Sequence, residues 1–176
     1  KEDIDNANTL GYKIKLVGFG EKIKNNIYQR VHPTLIKKSS YVAGIDGVLN
    51  AVIVDGLPVG QSIIQGEGAG PAATTSALIS DISSILRGNI KFPFSISNKE
   101  RKKLNFRDIL DRTFSAYLRF EVKDQPGVLS NITQIFSKNS VSIKRLIQHP
   151  KKNKGSSSII IITHMSKNKS LNRIIK

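Results

Sequence analysis

No cysteine and no tryptophan occur among the 176 residues; methionine occurs once and histidine three times. Without cysteine there are no disulfides, no thiolate nucleophile and no cysteine-held zinc or iron–sulfur site. His32, His149 and His164 are far apart and form no H-E-x-x-H pair, so no metal is expected. Acid is scarce: 13 Asp and Glu stand against 28 Lys and Arg, a net charge of +15. No apolar run approaches the ~18 residues of a membrane-spanning helix. The opening Lys1-Glu2-Asp3-Ile4-Asp5 lacks the apolar core of a signal peptide. The expectation is a cytoplasmic protein with no membrane partner.

The basic excess raises nucleic acid as a partner. Lys151, Lys152 and Lys154, and again Lys167 and Lys169, fall in expected loops without interleaved aromatics, so they offer a base nothing to stack on. Lysine excess beside abundant Ile, Asn and Ser reads as a compositional bias of the whole chain. No nucleic-acid partner is expected.

What is present is organised around Gly66-Glu67-Gly68-Ala69-Gly70-Pro71-Ala72-Ala73-Thr74-Thr75-Ser76, a glycine-rich turn that follows a strand and enters a helix. Alternate glycines admit φ > 0 and let a ligand approach bare main chain. The helix is expected to take Thr74 or Thr75 as N-cap, to carry Leu78, Ile79, Ile82, Ile85 and Leu86 on one stripe, and to stop at Gly88. Such a turn suits an anion at the helix N-terminus. It suits equally a tight, closely packed turn with no ligand, and the residues alone leave both readings open. The turn is neither a P-loop nor the dinucleotide fingerprint G-x-G-x-x-G.

Upstream, Ile4, Ala7, Leu10, Ile14 and Val17 recur at steps of three and four, which predicts an amphipathic helix over residues 1–17 with its acids at the favoured end. Lys13 falls at the edge of that stripe, either half-buried toward a cleft or snorkelling at the surface. Lys15-Leu16-Val17-Gly18-Phe19-Gly20 imitates a strand entering a nucleotide-binding turn, but Ile23 stands where the third glycine belongs, and we reject it. From Ile27 to Gly70 the pattern is β. Tyr28 to Ile36 holds His32-Pro33, which argues for an edge or a strand end. Val48–Val54 and Val59–Gln65 read as paired strands with Asp55-Gly56 as their turn. Two strands and a helix cannot bury both faces, so this portion should belong to a larger sheet.

Residues 88–113, with Pro93 and a Ser/Asn/Lys cluster, read as a linker. Beyond it Leu118, Phe120 and Val122 alternate with Tyr117, Arg119 and Glu121 as a strand with one buried face. Asp124-Gln125-Pro126-Gly127 turns into a helix bearing Leu129, Ile132, Ile135 and Phe136. Val141–Ile147 and Ser156–Thr163 are strands, and Lys169–Ile174 starts a second helix. The order β-α-β-β-α is that of a ferredoxin-like unit without its last strand.

Two resemblances converge on these residues. Asp124-Gln125-Pro126-Gly127-Val128-Leu129 resembles the D-x-P-G-V-L signature of an ACT domain, the small regulatory module that binds amino acids. Asp3-Ile4-Asp5, Leu10 to Leu16, Val31-His32-Pro33-Thr34-Leu35-Ile36, Asp46 to Val52 and Gly66 to Ala77, in that order, resemble the C-terminal half of the catalytic region of homoserine dehydrogenase. The resemblance implies an α+β chain with three parts: a partial catalytic and substrate-binding region over residues 1–90, whose mixed sheet also serves dimerisation; a linker over 91–113; and a ferredoxin-like βαββα(β) ACT domain over 114–176 that ends before its last strand.

It further implies an NADP- or NAD-dependent oxidoreductase that interconverts aspartate 4-semialdehyde and L-homoserine. Lys13 aligns with the catalytic lysine. Asp3 aligns with a substrate-binding carboxylate, and Asn8 stands where many relatives have a second one. The spacing to Lys13 differs by one residue from some relatives, so Lys15 is the alternative. Gly66, Gly68 and Gly70 align with residues packed against the cofactor. Asp124, Pro126, Gly127, Val128 and Leu129 align with the effector-binding turn, threonine being one candidate effector. His32 belongs to a matching run but is read as a packed, hydrogen-bonded histidine. A homodimer or homotetramer is expected. The family's nucleotide-binding half is not in the sequence, so this piece alone is expected to be inactive. A non-catalytic amino-acid sensor is the alternative reading, with a basic nucleic-acid-binding protein behind it.

Overall fold

The computed structural model describes residues 1–89, 96–150 and 155–175. It separates into two compact units: Lys1–Val17 with Val31–Leu104, and Gly18–Arg30 with Asn105–Lys176. The division does not follow a single cut along the sequence. It passes through one hairpin, whose root belongs to the first unit and whose tip belongs to the second. Pro93, Lys151, Lys152 and Lys154 lie outside the described residues. No described helix is long and apolar enough to cross a membrane.

In the first unit, helix α1 (Glu2–Thr9) carries Glu2, Asp3 and Asp5 in its first turn, at the positive end of the helix dipole. The expected helix over residues 1–17 fails beyond Thr9. Leu10 caps α1, Gly11 takes φ 83°, and the chain leaves as strand β1 (Tyr12–Ile23). Gly11 supplies the left-handed turn at no steric cost. After it, Tyr12, Ile14 and Leu16 alternate with Lys13 and Lys15, a period of two that overrides the helical steps at Ile14 and Val17. Strand β1 continues through Gly18 and Gly20, so the rejected nucleotide-binding turn is indeed no turn. Its neighbour is β2 (Asn26–Lys37).

Strands β3 (Leu49–Gly56) and β4 (Gly60–Glu67) pair antiparallel from Leu49↔Glu67 to Gly56↔Gly60. The turn therefore lies at Leu57–Val59 and not at Asp55-Gly56. Asp55 stays in the ladder opposite Gln61, whose Nε2 donates to its carboxylate at 3.2 Å. Helix α2 (Pro71–Leu86) has Gly70 as its N-cap, not Thr74 or Thr75. Proline in the first turn needs no N–H partner and brings a helical φ with it, which moves the start forward. Thr74 Oγ1 instead donates to the Gly70 carbonyl at 2.8 Å inside that first turn. The helix stops as expected, with Gly88 at φ 72° beyond Arg87. No residue of α2 is buried. Among the described residues of this unit, the buried apolar side chains are Ala7, Leu10 and Ala43.

The second unit opens with β5 (Asn105–Phe106), which pairs parallel with Asn26 and Ile27 of β2, and β6 (Thr113–Phe114). Because β5 reaches only these two residues, Pro33 stands further along β2 on an edge free of strand partners among the described residues. Part of the expected linker is thus ordered as a strand, followed by a 3-10 turn at Ile109–Asp111. Then come β7 (Tyr117–Lys123), α3 (Val128–Lys138), β8 (Ile143–Pro150), β9 (Ser156–Thr163), a short β10 (Ser166–Lys167) paired with β6, and α4 (Asn168–Ile175).

The sheet runs β7-β9-β8, antiparallel throughout, in the expected βαββα order. Residues 157–163 of the central strand are all buried. Ile159 and Ile161 meet Phe136 of α3, Leu171 and Ile174 of α4, and Val141; Leu118, Phe120 and Val122 pack around them. The rings of Phe120 and Phe136 meet edge to face, 6.2 Å apart. Each such side chain contributes ~1.5–3 kcal/mol by leaving water, enough for this unit to hold a core of its own.

The hairpin tip is fastened within the same unit by polar and aromatic contacts. Arg112 pairs with Glu21 and sits over the Tyr28 ring, and Arg30 lies 3.5 Å above the centre of the Phe114 ring.

Candidate active site

Lys13 and Lys15 are two residues apart on β1, which puts them on one face of the strand. A 3-10 turn at Tyr41–Gly44 delivers Ile45 and Asp46, and Gly47 at φ 67° turns the chain away again. The Asp46 carboxylate bridges the two lysines. Lys13 Nζ donates to Oδ2 at 2.7 Å, and Lys15 Nζ donates to Oδ1 and to the Ile45 carbonyl. These two ammonium hydrogen bonds, first that of Lys13 and then that of Lys15, hold the Asp46 carboxyl well below the usual carboxylate range, at about 2.

The same stretch continues to the glycine turn. Leu49 N–H donates to the Asp46 carbonyl at 3.3 Å, and Gly68 N–H donates to the Val48 carbonyl at 2.9 Å. Asn50 Nδ2 also reaches that Val48 carbonyl, at 3.3 Å. A Cβ on Gly68 would lie 1.6 Å from Asn50 Nδ2, the end of an exposed side chain that would have to swing aside. Above Gly66 and Gly70 the space is open, and Gly70 takes φ 127°. Asp46 to Asn50 therefore ties the lysine pair to the glycine turn inside one unit.

Asp3 is half-buried in the first turn of α1. The Asn8 side chain is exposed, and its main-chain carbonyl accepts from Lys38 Nζ at 3.0 Å. No hydrogen bond joins the Asn8 side chain to Lys13 or Asp46. His32 is half-buried with its Nδ1 3.0 Å from Thr34 Oγ1, a packed and hydrogen-bonded ring.

In the second unit, Asp124-Gln125-Pro126-Gly127 links β7 to α3. Gly127 is the N-cap of α3 at φ 89°, and Asp124 N–H donates to the Gly155 carbonyl at 2.9 Å. Gln148 Nε2 reaches Asp124 Oδ1 at 3.4 Å. An apolar cavity of about 160 Å³ lies nearby, between β7, α3 and α4 and walled chiefly by Phe120, Val122, Ile132, Ile135, Phe136 and Ile174. Asp124, Pro126, Gly127, Val128 and Leu129 do not line it.

Residues 1–83 match the family model for homoserine dehydrogenase, and residues 116–176 match that for the ACT domain. Its first part is thus a homoserine dehydrogenase region and its end an ACT domain. The chain is 37% identical to the homoserine dehydrogenase of Neisseria gonorrhoeae, an alignment that covers 98% of the chain and 41% of that relative. The Helicobacter pylori homoserine dehydrogenase is 33% identical, over 99% of the chain and 41% of the relative. Among solved structures, a homoserine dehydrogenase from Thiobacillus denitrificans superposes with a TM-score of 0.84 at 34% identity, over 99% of the chain and 40% of that structure. One from S. aureus gives a TM-score of 0.60 at 27% identity, over 97% of the chain and 41% of that structure. The chain thus spans about 41% of the length of the relatives it matches.

Within this homoserine dehydrogenase segment, the structure brings Lys13 together with Lys15 and links both to the glycine turn. It sets Asp3 and Asn8 on the helix just before them. The residue that sequence reasoning left without a role is Asp46. A signal was there: Asp46 is the only acid between Glu21 and Asp55 in a chain otherwise rich in lysine.

Proposed function

We propose that this chain forms the substrate-binding and dimerisation part of an enzyme that interconverts aspartate 4-semialdehyde and L-homoserine with NADP or NAD, in threonine, isoleucine and methionine biosynthesis. Its ACT domain binds an amino-acid effector through Asp124, Pro126, Gly127, Val128 and Leu129, with threonine the first to try. The observation that carries this reading is the stretch from Asp46 to Asn50, which holds the lysine pair at one end and closes on the glycine turn at the other. Reducing an aldehyde requires a proton donor and a hydride source positioned about one carbonyl.

The dinucleotide, when bound, supplies or accepts the hydride. Gly66 and Gly70 fit one wall of its ring, because the space over their main chain is open; the space over Gly68 is taken by Asn50. Lys13 has N–H directions to spare beyond its bond to Asp46, and one of them donates to the substrate carbonyl oxygen. As the carbonyl carbon is reduced, that oxygen takes the proton from Lys13 Nζ. In the reverse direction the neutral amine takes the proton of the hydroxyl. Asp3 and Asn8, on α1, serve the amino end of the substrate. The apolar residues that β3, β4 and α2 leave exposed, Val52, Ile64, Ile79 and Ile82 among them, support a homodimer or homotetramer in which they are covered.

The test is Lys13→Ala in the intact enzyme. It lowers kcat ~10²-fold or more with the melting temperature unchanged, as expected for removing a positioned proton donor. Wild-type turnover in Lys13→Ala together with lost turnover in Lys15→Ala would move the catalytic role two residues along β1. The sensor reading draws on one observation, that the apolar core lies in the second unit. A melting temperature raised by threonine and unmoved by NADPH in the intact protein would favour it.

A further inference from the structure

The chain passes between the two units after Val17, after Arg30 and after Leu104. The crossings after Val17 and Arg30 lie on β1 and β2, hydrogen-bonded neighbours in one sheet. The crossing after Leu104 has no such support, since the described residues 96–104 form no helix or strand. A single irregular stretch of chain absorbs a movement in its own φ and ψ, whereas two paired strands carry it along their length.

The hairpin is fastened at both ends. At the tip, Asn105 N–H donates to the Asn25 carbonyl at 2.9 Å, Arg107 N–H donates to the Ile27 carbonyl at 3.0 Å, and Arg107 Nε donates to Asn26 Oδ1 at 3.2 Å. Arg112 reaches further. Its guanidinium pairs with Glu21 and lies 5.1 Å from the centre of the Tyr28 ring, while its carbonyl accepts from the N–H of Asn168, the first residue of α4, at 2.8 Å. Helix α4 sends Leu171 and Ile174 into the core that Phe136 of α3 also enters. At the root, Lys38 follows directly on β2. Its N–H donates to the Gly11 carbonyl and its Nζ to the Asn8 carbonyl, each at 3.0 Å. The root therefore ends on the last turn of α1.

From these fastenings we infer that the β1–β2 hairpin couples the ACT unit to α1, with Arg112 as the residue that joins the hairpin tip to α4. This deepens the proposed enzyme reading and rests on it for the use of α1 at the amino end of the substrate. An amino acid that resets α3 or α4 moves Arg112, and the hairpin carries the change to Asn8. Because α1 serves substrate binding and not the transfer of hydride or proton, the effect belongs in KM and not in kcat. By linkage, substrate binding changes the affinity of the effector in return.

Hydrogen exchange in the intact protein tests the coupling without any effector. Arg112→Ala removes the Glu21 pair and the Tyr28 contact but keeps the carbonyl bond to Asn168. The root amides, in residues 12–17 and 31–37, are expected to exchange severalfold faster, with residues 157–163 of the ACT core unchanged. Glu21→Gln, a milder change on the hairpin itself, should act in the same direction and decides the matter if Arg112→Ala does not fold. Faster exchange confined to residues 18–30 overturns the inference.

Threonine is the probe for the regulatory use. It is expected to raise KM for the aldehyde about fivefold or more in the unmutated enzyme. Arg112→Ala should lose most of that response while calorimetry still shows threonine bound. An equal KM response in Arg112→Ala overturns the role of Arg112. An intact protein without turnover removes the enzyme reading, and threonine that binds neither protein removes the effector reading; in either case the exchange result decides the hairpin by itself.

Discussion

Phe136 in the second unit and Ile82 in the first both stand on the apolar stripe of a helix, yet Phe136 is 1% exposed and Ile82 is 55% exposed. Around Phe136 the strands β7 and β9 and helix α4 close a core of aromatic and branched side chains. Around Ile82 the whole of α2 lacks a buried residue, and Val52, Val54 and Ile64 of the neighbouring hairpin are open as well. The first unit spends its specific contacts on polar groups instead: the Lys13–Asp46–Lys15 bridge, the Lys38 bond to Asn8, and the Asn50 amide over Gly68. The difference teaches that an amphipathic period states only that a face wants cover. It does not say whether the cover comes from the same stretch of chain.

The sharpest way to break this comparison is to cut the same kind of side chain in both units. Phe136→Ala should destabilise the second unit by ~3–5 kcal/mol through lost transfer and a residual cavity. Ile82→Ala in the monomeric chain, where α2 is uncovered, should change stability by no more than ~0.5 kcal/mol. Denaturant unfolding of both variants decides. An Ile82→Ala loss as large as that of Phe136→Ala would mean that α2 is packed after all.

Gly127→Val comes next in size. At φ 89° a β-branched residue is strained by ~1–3 kcal/mol, so α3 should lose its start. The melting temperature of the second unit falls, and any rise that added threonine gives the unmutated protein disappears. A full threonine response in this variant would place the effector away from the turn. The unexplained apolar cavity beside Phe136 and Ile174 would then be the next place to look.

The smallest effect is one of pH and belongs to the polar unit. Asp46 has a folded pKa of about 2, lowered first by Lys13 and then by Lys15, against ~3.9 for an unfolded Asp. A depressed acid stabilises the fold above its unfolded value and loses that contribution as pH falls through the folded one. The bridge should therefore be complete above about pH 4, be lost as pH falls toward 2, and add no pH dependence near neutrality. Carbon-13 titration of the Asp46 carboxyl should show a midpoint near 2 that rises in Lys15→Gln. A midpoint at the ordinary Asp value in the unmutated protein would dissolve the bridge.

Much of this was legible in the sequence, and the reasons differ by element. The alternation of Leu118, Phe120 and Val122, the Gly127 turn and the helical spacing of Ile132 and Phe136 are near-neighbour patterns, and each formed where expected. The end of α2 at Gly88 followed from the same kind of local rule. The start of α2 and the end of α1 did not. At Gly70-Pro71 two signals competed with the threonines, and at Gly11 one left-handed residue cut a helical period in half. Both are cases in which backbone conformation at a single residue outranked a pattern spread over many.

By itself, then, the sequence determined what depends on residues close along the chain: the βαββα order, the glycine turn entering a helix, the alternating strands and the stretches that resemble homoserine dehydrogenase and ACT families. Only the tertiary structure decided that the hairpin tip belongs with the second unit, that Asn50 fills the space over Gly68, and that Asp46 lies between Lys13 and Lys15. The bridge joins residues 33 and 31 positions apart, beyond the reach of any local period. A carboxylate acquires its role there from the two ammonium groups that the fold carries to it.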